Sequence, residues 1–261
     1  MEILKLLALV ALLFGYVKLA IPAVRFALAR PERFPAAVWR WPEAAFTVSV
    51  VMFFLIGAAS EIGAPPRLIN LKALESSLAL YGAIVLLVTG FLVYRKFSPV
   101  DAFGLRWHGW TGGLMVTGAA LALVLPPIYA AQWLGYTFIS PETAPQPIVT
   151  FLMENAAWRD RLAVGLIAVV AAPITEELVF RGCLYGVIRQ VGGRWAGMAV
   201  SAVLFALIHG HIPSLPGLVI LAVGLCLIYE ATSSLWAPIA LHAGFNALSI
   251  IATLQWPELL K

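Results

Sequence analysis

Eight apolar stretches, at 3–24, 44–62, 73–94, 111–134, 161–190, 195–209, 215–231 and 235–254, dominate this sequence of 261 residues. A helix needs about 20 apolar residues to cross the ~30 Å of bilayer hydrocarbon. All but 195–209 and 215–231 approach or exceed that length. In lipid, backbone polar groups must be satisfied within their own segment, which restricts spanning elements to helices and closed barrels. The run lengths therefore predict an all-α fold, a polytopic transmembrane helix bundle of about eight spans. Hydrophobic residues make up 62% of the chain and charged residues 11%, against about 25% charged in soluble domains. That balance excludes an ordinary soluble enzyme, a disordered chain and a disulfide scaffold.

The net charge of +4 comes without a basic run or stripe, which argues against nucleic acid as a partner. The positive residues sit between spans instead. Arg25, Arg30, Arg33 and Arg40 fill the first connection, Arg95, Lys96 and Arg106 the third, and Arg189 and Arg194 the fifth. The second and fourth carry Arg67, Lys72, Arg159 and Arg161, offset by Glu142, Glu154 and Asp160. The positive-inside rule then places the odd connections in the cytoplasm and both termini outside. Lys5 and Lys18 interrupt the first stretch, which reads as a retained span rather than a cleaved signal. The longest polar connection, 135–160, reads as an extracytoplasmic loop with a short surface helix around Phe151–Trp158. Cys183 and Cys226 lie in apolar segments and read as small buried hydrophobes. Low lysine and high alanine suggest a prokaryotic cell membrane as the location.

Chemistry enters where polar groups interrupt apolar spans. The fifth stretch contains Glu176-Glu177-Leu178-Val179-Phe180-Arg181. An ionised side chain at mid-membrane costs ~2.5–3.5 kcal/mol even on the lenient insertion scale, so such groups mark cavities and function. Glu177 and Arg181 stand at i and i+4 with the glutamate N-terminal, the favoured order for an ion pair. Glu176 is rotated about 100° away and is the freer carboxylate, available as a general base or acid. Read alone, the cluster serves equally well as an ion-pair network holding helices together. His209 ends an apolar helix, with Phe205 one turn back on the same face. A single histidine there is more often structural. His242 and Asn246 again stand at i and i+4, after a Pro238 suited to a helix first turn. They read either as hydrogen-bond donors to a developing oxyanion or as an interhelical pair. By helical rise, Glu177 lies about 20 Å and His209 about 22 Å from the cytoplasmic ends of their spans, but His242 only about 11 Å. His242 sits lower than the others unless its helix is tilted or starts later.

Taken together, Glu176-Glu177-x-x-x-Arg181, Phe205-x-x-x-His209 and His242-x-x-x-Asn246 resemble the three signatures of the CAAX protease and bacteriocin-processing (CPBP) family of intramembrane proteases. The resemblance covers roughly residues 160–250. It divides the chain into N-terminal helices without a recognised motif, 1–160, and a catalytic core, 161–254. A further stretch, Thr232-Ser233-Ser234-Leu235-Trp236, departs from the family's usual Thr-Gly-Ser-Leu-Trp at its second position. The resemblance implies that Glu176 and His209 activate a water, that His242 and Asn246 stabilise the oxyanion, and that Glu177 and Arg181 support them.

The expected function is an intramembrane endopeptidase acting on a membrane-associated protein or peptide. The alternatives are a non-catalytic membrane protein conferring immunity to a secreted peptide, and a proton-coupled transporter, disfavoured by the lack of an internal repeat. No cofactor is favoured. Zinc held by Glu176, His209 and His242 is the minority expectation, because no His-Glu-x-x-His spacing occurs.

Overall fold

The computed structural model of the chain describes residues 2–29, 35, 39–61, 70–106, 110–139, 146–153 and 157–256. Arg30, Arg33, Arg67, Glu142 and Glu154 of the connections, and the Lys5 side chain, lie outside the described residues. Every described element is helical: α1 (Glu2–Leu28), α2 (Trp41–Glu61), α3 (Leu71–Tyr94), the short α4 (Pro99–Ala102), α5 (Trp110–Leu134), α6 (Pro147–Met153), α7 (Trp158–Leu166), α8 (Ala172–Glu177), α9 (Gly186–Leu207), α10 (Leu215–Thr232) and α11 (Trp236–Gln255). Of the expected surface helix around Phe151–Trp158, residues 151–153 end α6 and Trp158 begins α7, while 154–156 lie outside the described residues.

Six segments among the described residues are long and apolar enough to cross a membrane. One of them, Trp158–Leu207, is 50 residues long and chains α7, α8 and α9 through π-helical turns. It is a hairpin. Gly193 breaks the helix with φ 79° and ψ 170°, backbone that L side chains avoid. The second arm then returns along the first: Ser201 Oγ donates to Phe180 O at 3.2 Å, and Gly197 lies against Tyr185 with no room for a Cβ. The separate stretches 161–190 and 195–209 are therefore its two arms. The stretch 3–24 falls in α1, which packs beside α10 outside the six. The chain is a multi-pass membrane protein built as a helical bundle.

The centre of the bundle is α10, apolar on all sides and packed against α1, α5, α9 and α11. Leu221, Leu225 and Cys226 are fully buried there. A helix apolar all round is what a bundle core or a membrane span requires.

One end of the bundle is tied by charge. Arg95 Nε meets Glu43 at 2.6 Å and Arg189 Nε meets Glu230 at 2.5 Å. Tyr185 Oη donates to the same Glu230, and Gln190 exchanges two hydrogen bonds with the Trp39 backbone, each 2.8 Å. This arginine-rich end gathers the connections that the charge count places in the cytoplasm.

The depth of His242 is decided at this end. The α4 segment dips inward and buries Phe103 completely against Gly182. Leu235 N donates to Phe103 O at 3.1 Å, and Trp236 Nε1 donates to Leu105 O at 2.9 Å. The start of α11 thus hangs from the residues that follow α4, beside the Phe103 ring that packs on Gly182. Its deeper start raises His242 to the height of Glu177.

The turn feeding α11 carries strain. Ser233 closes α10 with φ 54° and ψ 26°, the left-handed conformation normally taken by Gly at helix ends. Left-handed backbone costs a non-glycine residue about 1–2 kcal/mol, against an unfolded-state entropy cost for Gly of about 0.4–1 kcal/mol. Ser233→Gly is therefore expected to stabilise the protein by roughly 0.5–1 kcal/mol. Thermal unfolding of both proteins in the same detergent checks this; an unchanged or lower midpoint would contradict the strain.

Candidate functional site

Glu176 and Glu177 fall at the end of α8, where the first arm of the hairpin passes from α-helix to the π-helical turn Leu178–Tyr185. π-helical turns are rare and concentrate at functional sites. The cause of the preceding one, Ile167–Ala171, is visible in sequence order. Pro173 lies inside a continuous helix, has no N–H, and its ring crowds the carbonyl one turn back. Widening the turn relieves the crowding: Ala172 N donates five residues back to Ile167 O. The next such bond would run from residue 173 to Ala168 O, and proline cannot make it. Asn246 Nδ2 donates to that carbonyl instead, at 2.7 Å.

Glu177 is fully buried and holds two partners through Oε1, Arg181 Nη1 at 3.0 Å and His242 Nδ1 at 2.9 Å. Arg181 is also fully buried. Its Nη2 donates to Ala222 O at 3.2 Å, and its guanidinium lies 4.3 Å above the centre of the Phe205 ring. A planar cation over an aromatic face in a desolvated site is stabilised by about 2 kcal/mol or more. Phe205 is a hub. Its ring lies 4.9 Å from the His209 ring and 5.5 Å from His242, and its carbonyl is 2.7 Å from His209 Nδ1.

Glu176 is not part of that ion pair. Its Oε2 is buried, has no hydrogen-bond partner among the described residues, and faces two imidazole nitrogens. His209 Nε2 is 4.0 Å away and His242 Nε2 is 3.9 Å away. The tautomers follow from the other ring nitrogens. His209 Nδ1 donates to a carbonyl and His242 Nδ1 to a carboxylate. Both neutral rings therefore turn an Nε2 lone pair toward Glu176. All six singled-out residues, Glu176, Glu177, Arg181, His209, His242 and Asn246, come from the hairpin and α11 and meet in one region. Phe205, marked in sequence only as a neighbour of His209, supports three of them. Asn246 holds the backbone at Ala168 as well as facing the cavity, a duty that the i, i+4 spacing from His242 could not reveal.

Zinc donors at 2.0–2.2 Å in a tetrahedral site stand about 3.3–3.6 Å from one another. The 3.9 and 4.0 Å separations of Glu176, His242 and His209 exceed this, and no group of three metal-type ligands closes among the described residues. The donor types suit zinc; the spacing as it stands does not fit.

A cavity of about 290 Å³ opens beside the cluster, lined at one end by His209, His242 and Asn246. Among the described residues, none that lines it is charged.

Residues 157–248 match the family of type II CAAX prenyl endopeptidases, Rce1-like. The chain is also similar to the "Putative membrane peptidase YdiL" of Bacillus subtilis (strain 168), with 23% identity over 90 residues. That alignment covers 34% of this chain and 37% of the relative. No solved structure matches the chain. The matched segment contains all three motifs, and it is in that segment that the chain is similar to CAAX-type membrane proteases.

Removing one partner of a buried ion pair costs about 3–5 kcal/mol, because the other charge is left uncompensated. Arg181→Met is expected to lower the thermal midpoint and the membrane yield strongly. Glu177→Gln in the same chain is expected to recover much of the loss. Purification yield and thermal unfolding of both variants check the pairing, and a single variant as stable as wild type would contradict it.

Proposed function

We propose that the protein is an intramembrane endopeptidase that hydrolyses a peptide bond with a water activated by Glu176 and His209. The observation that carries this reading is the convergence of Glu176 Oε2 with two imidazole Nε2 atoms at 3.9 and 4.0 Å. Those separations are too long for direct hydrogen bonds and suit groups that share a water. The family match to residues 157–248 supports the same chemistry.

In this mechanism the carbonyl carbon of the substrate lies beside the shared water. Glu176 takes a proton as the water oxygen attacks. His209, oriented by its Nδ1 bond to Phe205 O, positions the water through Nε2. The tetrahedral oxyanion forms beside His242 and Asn246. His242 donates from Nε2 when it is the imidazolium, its ring held in place by the Nδ1 bond to Glu177. Arg181 adds positive charge behind Glu177 and keeps that carboxylate oriented. The proton held by Glu176 passes to the leaving nitrogen as the C–N bond breaks, giving a free amine and a carboxylic acid and returning Glu176 to the carboxylate.

Loss of a positioned general base typically lowers a rate by about 10²–10⁴. Glu176→Gln and His209→Ala are each expected to abolish detectable cleavage while keeping the wild-type thermal midpoint. The assay maps new peptide termini in membrane and secreted fractions of cells carrying wild type or Glu176→Gln at equal abundance. Termini present only with the wild type support the peptidase. Identical sets, with both proteins folded, favour the immunity reading.

Metal dependence has its own check. Incubation of purified protein with a chelator is expected to leave the wild-type termini in place. Inactivation reversed by zinc would instead require the three donors to close on a metal.

A further inference from the structure

Four polar residues of α11 recur at helical spacing: His242, Asn246, Ser249 and Thr253. All four line the same 290 Å³ cavity. The stripe rises about 17 Å from His242 to Thr253, the length of roughly five extended residues. It runs toward the end of the bundle opposite the arginine-rich connections. There the cavity meets a polar rim from two other connections. His211 Nδ1 lies 2.8 Å from Ser214 Oγ, Gln146 Nε2 donates to the same oxygen at 3.3 Å, and the Tyr136 ring lies 5.7 Å from His211.

The hydroxyls are arranged to accept. Ser249 Oγ donates to Phe245 O and Thr253 Oγ1 to Ser249 O, both at 2.9 Å. Each hydroxyl hydrogen is thereby bound to its own helix, while the oxygen lone pairs face the cavity. Lone pairs along a neutral face suit the N–H groups of an extended backbone. They do not suit an acyl or prenyl chain, which offers no donor. The contrast within the molecule is clear. A second cavity of about 360 Å³ between α1, α5 and α10 is lined by apolar side chains, with Tyr16 the one polar-tipped residue.

We propose that the His242–Asn246–Ser249–Thr253 face of α11 is a track for an extended, uncharged polypeptide segment that reaches the site from the end opposite the arginine-rich face. The positive-inside rule places that arginine-rich face in the cytoplasm, so the segment is supplied from the extracytoplasmic side. The track as a route to a cleaved bond rests on the peptidase reading above; its exposure to water from that side does not.

The test is accessibility of introduced thiols to a membrane-impermeant, positively charged thiosulfonate, in intact cells and in inverted vesicles. Cys183 and Cys226 are buried and give little background. Ser249→Cys and Thr253→Cys are expected to react in intact cells, at least about ten-fold faster than Ile251→Cys, whose exposed face meets lipid where the reactive thiolate does not form. Arg106→Cys, at the arginine-rich end, is expected to react only in inverted vesicles. Modification of Ser249→Cys is expected to abolish the termini that depend on Glu176, and modification of Arg106→Cys to leave them. Equal reactivity of Ile251→Cys, or reaction of the track only in inverted vesicles, would overturn the proposal whatever the fate of the peptidase reading. If the track reacts as expected but no termini depend on Glu176, the peptidase reading fails and the water-filled track stands.

Discussion

The buried ion pair of Arg181 and Glu177 is the constraint around which the site is organised. Both side chains are fully buried, in a bundle whose surroundings are lipid. A lone charge there is expelled or neutralised, so each must be held by named partners. Those partners come from different elements: His242 from α11, the Ala222 carbonyl from α10 and the Phe205 ring from α9. One electrostatic requirement thereby draws three helices around the hairpin arm that carries Glu176. Glu176 itself stays outside the pair, and its Oε2 is left to face His209 and His242.

A second coupling runs through the backbone. Pro173 opens the first arm into a π-helical turn, and the Ala168 carbonyl that Pro173 cannot bond is taken by Asn246. The helix irregularity that aims Glu176 and the helix that carries His242 are thus tied by one hydrogen bond. The same helix is set at its start by α4, through Leu235 and Phe103. The start and the middle of α11 are therefore specified by backbone contacts rather than by apolar packing alone. This precision matters because a catalytic group misplaced by about 1 Å can lose two orders of magnitude in rate.

Much of this was legible in the sequence. Run length and composition gave the helical bundle, because lipid permits few alternatives for an apolar chain. The i, i+4 spacing gave the Glu177–Arg181 pair and separated Glu176 from it. The polar stripe of α11 is equally periodic; Ser249 and Thr253 pass unnoticed only because single hydroxyls are common in membrane helices. The π-helical turns, the inward dip of α4 and the strain at Ser233 were not legible. Each depends on which neighbour supplies a hydrogen bond, a quantity that spacing along one helix does not contain.

What the sequence determined by itself is chemistry and local geometry. It set which residues can ionise inside a membrane, which of them share a helical face, and where helices must break. The tertiary structure decided which faces meet. His242 lies only about 11 Å along its helix from Leu235, and counting alone separates it from Glu177. They stand 2.9 Å apart because α11 starts inside the bundle, suspended from Phe103 and Leu105. Depth in a bundle is measured from the neighbours that hold a helix and not from its own first residue, and so the site exists only once those neighbours are in place.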